Sequence, residues 1–360
     1  MMINVYVLCG GKSVEHEVSL LTASAIINSL DKERYNVYPV YITKEGLWCN
    51  KGLVTDEIKD TNELKGVSNK TILGSMAESL YEIAKNEEKS IIFPALHGTN
   101  GEDGTIQGFL DLIDLPYVGN GVMSSAVGLD KVITKELFSK VNIPQTKHIA
   151  FSKKEWIENK DYLYSNLEDV TGYPCYVKPS RSGSSVGINR CVNKEELEQA
   201  INEAFLYDTK LVIEEEVVGR EMQISVVGNN APKSSVIGEF IQERNFMDYD
   251  AKYLDGKLIQ VIPARVSEEI TEQMREAAVR AFKALDCSGL VRVDYFVTNE
   301  NKFYVNEVNT MPGFTKLSMT PVLWEKTDGT TYSQLVERLI KLGFERYEER
   351  KALLYDRRTK

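Results

Sequence analysis

This 360-residue chain has few histidines and few cysteines, three and five respectively. The cysteines are odd in number, form no C-x-x-C motif and are widely scattered: Cys9, Cys49, Cys175, Cys191 and Cys287. This distribution argues against a zinc cluster and against a disulfide framework. The sequence instead predicts buried free thiols in a reducing compartment.

Long apolar runs and an excess of positive charge are also missing. No stretch approaches the roughly 20 apolar residues that a membrane helix needs. The N-terminal "MMINVYVLCGG" has no basic segment or cleavage site, so it predicts a first strand rather than a signal peptide. A net charge of −10 argues against general affinity for nucleic acid or anionic membranes, but it allows a local basic pocket for a phosphorylated ligand. We therefore expect a cytoplasmic protein.

The chain has the composition of a globular protein, with 42% hydrophobic and 27% charged residues, and its length predicts two or three domains. The strand-like segments "INVYVLCGG", "YNVYPVYIT" and "KSIIFPALHG" alternate with helical patterns, and Ser13 is the expected cap of the first helix. This alternation predicts an open α/β domain with ligands at the carboxyl ends of its strands. "CGGKSVEHE" lacks G-x-G-x-x-G, which argues against a nicotinamide cofactor.

The segment "GLVRVDYFVTNENKFYVNEVNTMPG" predicts a β-hairpin. Alternate residues of a strand share a face, so Arg292 points with Asp294, and Glu307 points with Asn309. With a two-residue loop at Glu300–Asn301, Asp294 lies opposite Glu307 and Arg292 lies opposite Asn309. A one-residue change in the loop would break this register.

Two opposed carboxylates on neighbouring strands repel each other, unless a divalent cation lies between them. Asn309 adds a neutral oxygen, and such an oxygen-only set suits Mg²⁺ or Mn²⁺. The alternative is a solvated polar face that ends at a Pro-Gly turn.

Three further segments contain features of a nucleotide site. In "YVKPSRSGSSVGI", Lys178 ends a strand and precedes a Ser/Gly loop that can present backbone N–H groups to phosphate, although a plain hairpin turn would look the same. Lys131 in "GLDKVITKEL", taken alone, is typical of a surface helix. "LVIEEEVVGREMQISVV" is either a solvated strand end or a hinge that meets adenine, with Glu221 on the ribose.

The order of these parts resembles that of the ATP-grasp enzymes. Five segments are similar to the D-alanine–D-alanine ligase family over nearly the whole chain: "GGKSVEHEVSL", "LHGTNGEDGTIQG", "VKPSRSGSSVGI", "DYDAKY" and "NEVNTMPGFTKLS". The resemblance implies a mixed α/β ATP-grasp fold. It has an N-terminal open parallel α/β domain (1–121), a small central α+β domain (122–225) and a larger C-terminal α+β domain with an antiparallel sheet (226–360).

The resemblance also implies an activity. Enzymes of this family join two D-alanines through an acylphosphate, releasing ADP and phosphate, and supply the peptidoglycan precursor of the cell wall. The implied cofactors are ATP, as a substrate, and two Mg²⁺ or Mn²⁺ ions. The implied partners are these small molecules and a second copy of the chain in a homodimer, with no nucleic acid or membrane.

The resemblance assigns roles to individual residues. Lys131 and Lys178 would hold the phosphates, and Lys252 would reach the γ-phosphate. The expected adenine and ribose residues are Glu214, Glu215, Val217 and Glu221, with Glu215 and Val217 acting through their backbone. The expected metal ligands are Asp294, Glu307 and Asn309.

The implied substrate residues lie in four parts of the chain. Glu15 would pair with the ammonium of the first D-alanine, near His97. Arg292 and the N–H of Gly313 would form the oxyanion hole. The second D-alanine would meet Ser318 through its carboxylate, beside Met319, where many family members have Leu.

A loop near residues 244–258 is expected to close over the site and exclude water. Tyr253 on that loop would hydrogen-bond with Ser184 and Glu15, and its presence favours an amine over D-lactate as the second substrate. Two alternatives stay open: a ligase that uses D-serine or D-lactate, and a catalytically silent nucleotide-binding regulator. The regulator predicts loss of a metal or oxyanion residue, yet all four hairpin residues are present.

Overall fold

The computed structural model describes residues 2–85, 88–241 and 259–354. Three β-sheets with helices packed on them make a mixed α/β protein, which confirms the expected fold class. The predicted lid loop, with Lys252 and Tyr253, lies outside the described residues. Within the described ranges, no helix has the length and apolar character needed to cross a membrane.

The first sheet has the strand order β3-β2-β1-β4. Its strands are β1 (Ile3–Gly10), β2 (Tyr35–Ile42), β3 (Trp48–Asn50) and β4 (Ser90–Pro94). β1 pairs in parallel with β2 and β4, while the short β3 adds an antiparallel edge that the sequence did not indicate. Its helices are α1 (His16–Ser29), α2 (Ile72–Ala84) and α3 (Thr105–Leu112), with a 3₁₀ turn at Thr61–Leu64. Because β1 is buried on both faces, it has a continuous apolar run.

The first helix begins later than the sequence predicted. Glu15, not Ser13, occupies the cap position, and it makes no side-chain cap hydrogen bond. Ser13 Oγ instead accepts a hydrogen bond of 3.1 Å from the Glu15 N–H within the turn after β1. Gly10 and Gly11 have φ values of 87° and 92°, which glycine adopts readily. This turn places Glu15 between the end of β1 and the start of α1.

The second sheet is antiparallel, with the order β5-β8-β6-β7. Its strands are β5 (His148–Ser152), β6 (Cys175–Pro179), β7 (Asn189–Cys191) and β8 (Lys210–Glu215). The helices of this region are α4 (Val122–Leu129), α5 (Lys131–Lys140), α6 (Lys153–Glu158), α7 (Lys160–Val170) and α8 (Lys194–Ala204). Asp130 separates α4 from α5 and caps α5 by accepting a hydrogen bond from the Ile133 N–H. The cap therefore sets the position of Lys131 at the start of α5.

The third sheet contains six antiparallel strands in the order β12-β11-β9-β13-β14, with β10 paired to β9. These are β9 (Arg220–Gly228), β10 (Lys233–Ser234), β11 (Gly238–Ile241), β12 (Ile259–Val261), β13 (Gly289–Val297) and β14 (Phe303–Asn309). The accompanying helices are α9 (Glu268–Ala284), α10 (Met319–Asp328) and α11 (Tyr332–Lys351). The predicted division at residue 225 falls inside β9, whose partners are in this sheet. We therefore propose that the boundary lies before Arg220, where both sheets stay whole.

The C-terminal helix returns to the N-terminal sheet. Leu335, Leu339 and Phe344 of α11 share a buried apolar cluster with side chains of β1. At the end of this helix, Tyr347 Oη donates to the Asp114 carbonyl at 3.1 Å and Arg350 pairs with Asp111. These two contacts join the helix end to α3 and to the loop after it, while Glu348, Glu349 and residues 351–354 are exposed.

All five cysteines are buried and free, as predicted. Burial raises the pKa of Cys9 to about 12, because the apolar surroundings disfavour the thiolate. These thiols therefore act as small apolar side chains.

Trp324 provides a test of the packing behind the third sheet. It is 1% exposed, and its Nε1 donates a 2.9 Å hydrogen bond to Ser225 Oγ on β9. We expect Trp324→Ala to lower the free energy of unfolding by about 3–5 kcal/mol, through the cavity and the unpaired hydroxyl. Urea unfolding followed by circular dichroism measures this. The exposed Ile157→Ala should change it by less than about 0.5 kcal/mol, and a comparable loss in both variants would contradict the prediction.

Candidate active site

The hairpin of β13 and β14 has the predicted register. Asp294 pairs with Glu307 and Arg292 pairs with Asn309. The expected two-residue loop was wrong, because five residues (298–302) connect the strands and the Thr298 N–H donates to the Lys302 carbonyl at 2.8 Å. A β-bulge between Asp294 and Tyr295 shifts the register, leaving Asn306 as the extra residue on β14. The bulge therefore restores the pairing that the longer loop would have changed.

Asp294 accepts hydrogen bonds from three side chains. Arg292 donates to both of its oxygens, with Nε to Oδ1 at 2.7 Å and Nη2 to Oδ2 at 2.8 Å. Asn309 Nδ2 and Gln223 Nε2 each donate to Oδ2 at 3.2 Å. Gln223, which lies opposite Asp294 on β9, was missed from the sequence. The sequence could have indicated it, because Gln223 lies two residues after Glu221 and therefore on the same face of the strand.

Lys131 connects the hairpin to the second sheet. Its Nζ lies 3.4 Å from Glu307 Oε2 and donates to the Ser182 carbonyl at 2.8 Å. The residue is only 7% exposed, so the surface-lysine alternative is wrong. Its backbone N–H donates to the Ser180 carbonyl just after β6, which fixes the start of α5 there. The Ser/Gly loop and the acidic hairpin therefore lie side by side.

Lys178 makes the second connection between these sheets. Its Nζ donates to Glu214 Oε2 and to Asn306 Oδ1, each at 3.1 Å. Asn306 is the bulged residue of β14, and the sequence did not single it out. Burial alone would raise the pKa of Glu214, but Lys135 and Lys178 outweigh it and hold the pKa well below its usual range. Glu214 is therefore a buried anion that faces two ammonium groups.

The Ser/Gly loop after β6 reaches the N-terminal sheet. Ser184 and Ser185 adopt left-handed backbone conformations, with φ values of 50° and 60°. Ser184 Oγ donates a short hydrogen bond to the Glu15 carboxylate, a direct contact between the two residues that were expected to meet Tyr253. A Cβ added at Gly98 would lie 2.5 Å from Glu15 Oε2, which shows how closely the loop after β4 approaches the same carboxylate.

His97 is 3% exposed and lies in the loop after β4. One ring nitrogen, Nε2, lies 2.9 Å from Thr22 Oγ1, and Nδ1 lies 3.0 Å from the Met311 carbonyl and 3.4 Å from Glu102 Oε1. Burial lowers the pKa of His97, but the Glu102 carboxylate, together with Glu15 and the Met311 carbonyl, outweighs burial and raises the pKa. His97 therefore joins α1 to the end of the hairpin, close to Glu15.

The segment after β14 places three predicted residues near one another. A Cβ added at Gly313 would lie 3.6 Å from Ser318 Oγ, which itself accepts a 2.9 Å hydrogen bond from the Thr315 N–H. Met319 is 4% exposed and packs on Gly238 of β11, where an added Cβ would lie 2.4 Å from its sulfur. Met319 thus contributes to the contact between α10 and the third sheet.

The predicted nucleotide hinge lies between the second and third sheets. β8 ends at Glu215 and β9 begins at Arg220, so Val217 falls in the short connection and Glu221 at the start of β9. Glu215 Oε1 accepts a 2.8 Å hydrogen bond from the Lys147 N–H. Its side chain is therefore engaged within the protein.

The hairpin residues fit a magnesium ion that carries most of its own ligands. No group of three or more His, Cys, Asp or Glu side chains in the described ranges is arranged to hold a metal. Asp294 and Glu307 supply only two carboxylates, and Asn309 adds an amide oxygen from the same face. Such a small oxygen-only set suits Mg²⁺, which keeps several waters or takes phosphate oxygens. A dedicated protein cage for zinc or calcium would need more ligands.

Comparison with known proteins agrees with this architecture. The sequence profile described as "D-ala D-ala ligase N-terminus" matches residues 4–120, and "D-ala D-ala ligase C-terminus" matches residues 137–341. A D-alanine–D-alanine ligase of Geobacillus thermodenitrificans is 47% identical over 366 residues, covering 99% of each chain. One from Bacillus cytotoxicus is 46% identical over 353 residues, covering 97% of each.

Solved structures show the same similarity. The D-alanine–D-alanine ligase from Coxiella burnetii has a TM-score of 0.79 at 33% identity, covering 97% of this chain and 96% of that one. The VanG D-Ala:D-Ser ligase from Enterococcus faecalis also has a TM-score of 0.79, at 32% identity, covering 95% of this chain and all of that one.

Proposed function

The chain belongs to the D-alanine–D-alanine ligase family, and we propose that the residues around the β13–β14 hairpin catalyse its reaction. The protein is an ATP-dependent ligase that joins two D-alanines for synthesis of the cell wall. The observation that supports this site best is the pair of contacts Lys131–Glu307 and Lys178–Asn306. One ammonium group lies against the Glu307 carboxylate and the other against the residue next to it, and phosphoryl transfer depends on such positioning of positive charge.

The nucleotide phosphates would bind where Lys131 and Lys178 meet the hairpin. Both ammonium groups are nearly buried, so they attract an anion more strongly than surface lysines do. Asp294, Glu307 and Asn309 would hold two Mg²⁺ or Mn²⁺ ions, whose chemistry is to neutralise charge on the transferred phosphate. In the hinge, the backbone of Glu215 and Val217 would meet adenine next to Glu214, and Glu221 would meet the ribose.

The first D-alanine would bind through its ammonium to Glu15, with His97 nearby. Ser184 orients the Glu15 carboxylate by donating to it, and Gly98 leaves room for that carboxylate. The D-alanine carboxylate would accept the γ-phosphate, which Lys252 would also contact. Tyr253 would join the Glu15–Ser184 pair when the lid closes and excludes water from the acylphosphate.

The second D-alanine would attack that acylphosphate through its amine. Arg292 and the N–H of Gly313 would stabilise the oxyanion that forms. Asp294 accepts two hydrogen bonds from Arg292, which fixes the orientation of the guanidinium before substrate arrives. Ser318 lies beside Gly313 and would take the second carboxylate, while Met319 would shape the adjacent pocket from its buried position. We further propose that the protein is cytoplasmic and forms a homodimer.

The substrate assignment is tested by release of phosphate from Mg-ATP. We expect release to depend on D-alanine and to be about 10²-fold slower with L-alanine, because the ammonium and carboxylate sites recognise one hand. A coupled phosphate assay across D-alanine, L-alanine, D-serine and D-lactate measures this. Equal release with both alanine enantiomers would reject the assignment. Faster ligation of D-serine to D-alanine would favour the alternative that the VanG D-Ala:D-Ser ligase represents.

A further inference from the structure

We propose that Lys135 is a positioning residue, which keeps Glu214 paired so that Lys178 can leave that carboxylate for the nucleotide phosphates. The inference rests on the proposed role of Lys178 in phosphate binding. Lys135 is not among the residues that the sequence indicated, although it lies one helical turn after Lys131 on the same face of α5.

Lys135 belongs to a closed polar network between α5 and the second sheet. Its Nζ lies 3.3 Å from Glu214 Oε1 and donates to Thr146 Oγ1 at 3.2 Å. Thr146 Oγ1 in turn donates to Glu214 Oε2 at 2.9 Å. The side chains of Lys135 and Glu214 are each only 2% exposed. Lys135 therefore has no route to a ligand without leaving this network.

Glu214 has more cationic neighbours than its single charge requires. Lys135 approaches Oε1, while Lys178 donates to Oε2. Two ammonium groups around one carboxylate leave one positive charge in excess. Lys178 is the more exposed lysine, at 9% of its side chain, and it also donates to Asn306 next to Glu307. Lys178 is therefore the lysine placed to exchange partners.

Lys178 can move to phosphate only if Glu214 retains another cationic partner. If Lys178 turned to phosphate and Lys135 were absent, Glu214 would remain as a buried carboxylate with Thr146 as its one donor among the described residues, which is costly. With Lys135 in place, the carboxylate keeps a full ion pair after Lys178 departs. The two lysines also repel each other, which weakens the hold of Glu214 on Lys178. Burial lowers the pKa of Lys135, against the opposing effect of Glu214, as expected for an ammonium in this setting.

The direct test is Lys135→Met, which keeps the volume and removes the charge. We expect the KM for ATP and the Kd for ADP to rise about tenfold, with kcat and the KM for D-alanine within about twofold of the parent values. Steady-state kinetics measures kcat and both KM values, and titration calorimetry with Mg-ADP measures the Kd. Lys140→Met, on the exposed end of the same helix, is the matched control and should leave all four quantities unchanged. An unchanged affinity for both nucleotides in Lys135→Met would overturn the proposal.

A second comparison remains decisive if Lys135→Met folds poorly. In a Glu214→Gln background no buried carboxylate needs a partner, so adding Lys135→Met should change the Kd for ADP by less than about twofold. A full tenfold loss in that background would overturn the proposal, because Lys135 would then act independently of Glu214. The ADP titration also separates this inference from the proposed function. If the ADP affinities of the variants change as expected but the protein does not ligate D-alanine, the proposed function is contradicted and the inference about Lys135 is not.

Discussion

Glu307→Gln is expected to lower kcat for D-alanine ligation by at least about 10³-fold while leaving the fold intact. In the structure Glu307 lies directly opposite Asp294 and within 3.4 Å of the Lys131 ammonium. The substitution keeps the shape of the side chain but removes the negative charge of one of the two opposed carboxylates, so that Asp294 alone remains charged. Magnesium and the charge developing on the phosphate would both lose their main protein counterpart. Phosphate release at saturating Mg-ATP and D-alanine measures the effect.

Stability separates this catalytic loss from unfolding. Two carboxylates in register destabilise a hairpin when no cation lies between them. Glu307→Gln should therefore leave the Tm of the ligand-free protein unchanged or slightly higher, despite the loss of the contact with Lys131. Glu300→Gln, in the turn of the same hairpin and 75% exposed, is the matched control and should keep full activity. Full activity in Glu307→Gln itself would contradict the metal role.

Arg292→Met is expected to lower kcat by about 10²–10³-fold, the cost of losing one oxyanion donor. The guanidinium is planar and is oriented by two hydrogen bonds to Asp294. Methionine keeps much of the side-chain volume but removes the charge and every donor. Because the proposed role of these donors is to stabilise the tetrahedral intermediate, kcat should fall much more than the KM for ATP rises. Single-turnover measurement of dipeptide formation checks this.

Arg292→Lys refines the same prediction. Lysine restores the charge but not the planar fork, so it should recover only a small part of the lost activity. Arg280→Met on α9, a half-exposed arginine whose nearest acid lies one helical turn away, should leave kcat unchanged. A fall of less than about threefold in Arg292→Met would remove Arg292 from the oxyanion hole.

The sequence predicted the hairpin and its facing residues well, because both depend on the two-residue repeat of a strand. It predicted the pairing of Asp294 with Glu307 through an incorrect loop, since the bulge at Asn306 compensates for the one-residue shift in register that the longer loop introduces. A bulge leaves no simple mark in the alternation of apolar and polar residues. The start of the first helix was also predicted too early. Ser13 belongs to the turn between β1 and α1, where its hydroxyl accepts a hydrogen bond from Glu15, so it does not cap the helix.

Residues in contact across sheets were outside the reach of the sequence. Gln223 and Lys135 looked like ordinary polar side chains on a strand and a helix. Lys131 alone resembled a surface lysine, yet it is buried where α5 starts against the end of β6. Only burial against a neighbouring sheet distinguishes these residues from their solvated counterparts.

What the amino-acid order determines by itself is therefore local: which residues form each strand or helix, which side chains share a face, and the motifs of the family. The tertiary structure decides how charges are balanced. Lys178 meets Asn306 across 128 residues of chain, and Ser184 meets Glu15 across 169. Coulomb energy in a poorly solvated site depends on distance and burial, not on separation along the chain. For that reason the residues proposed to bind nucleotide and substrate come together only after the three sheets have packed.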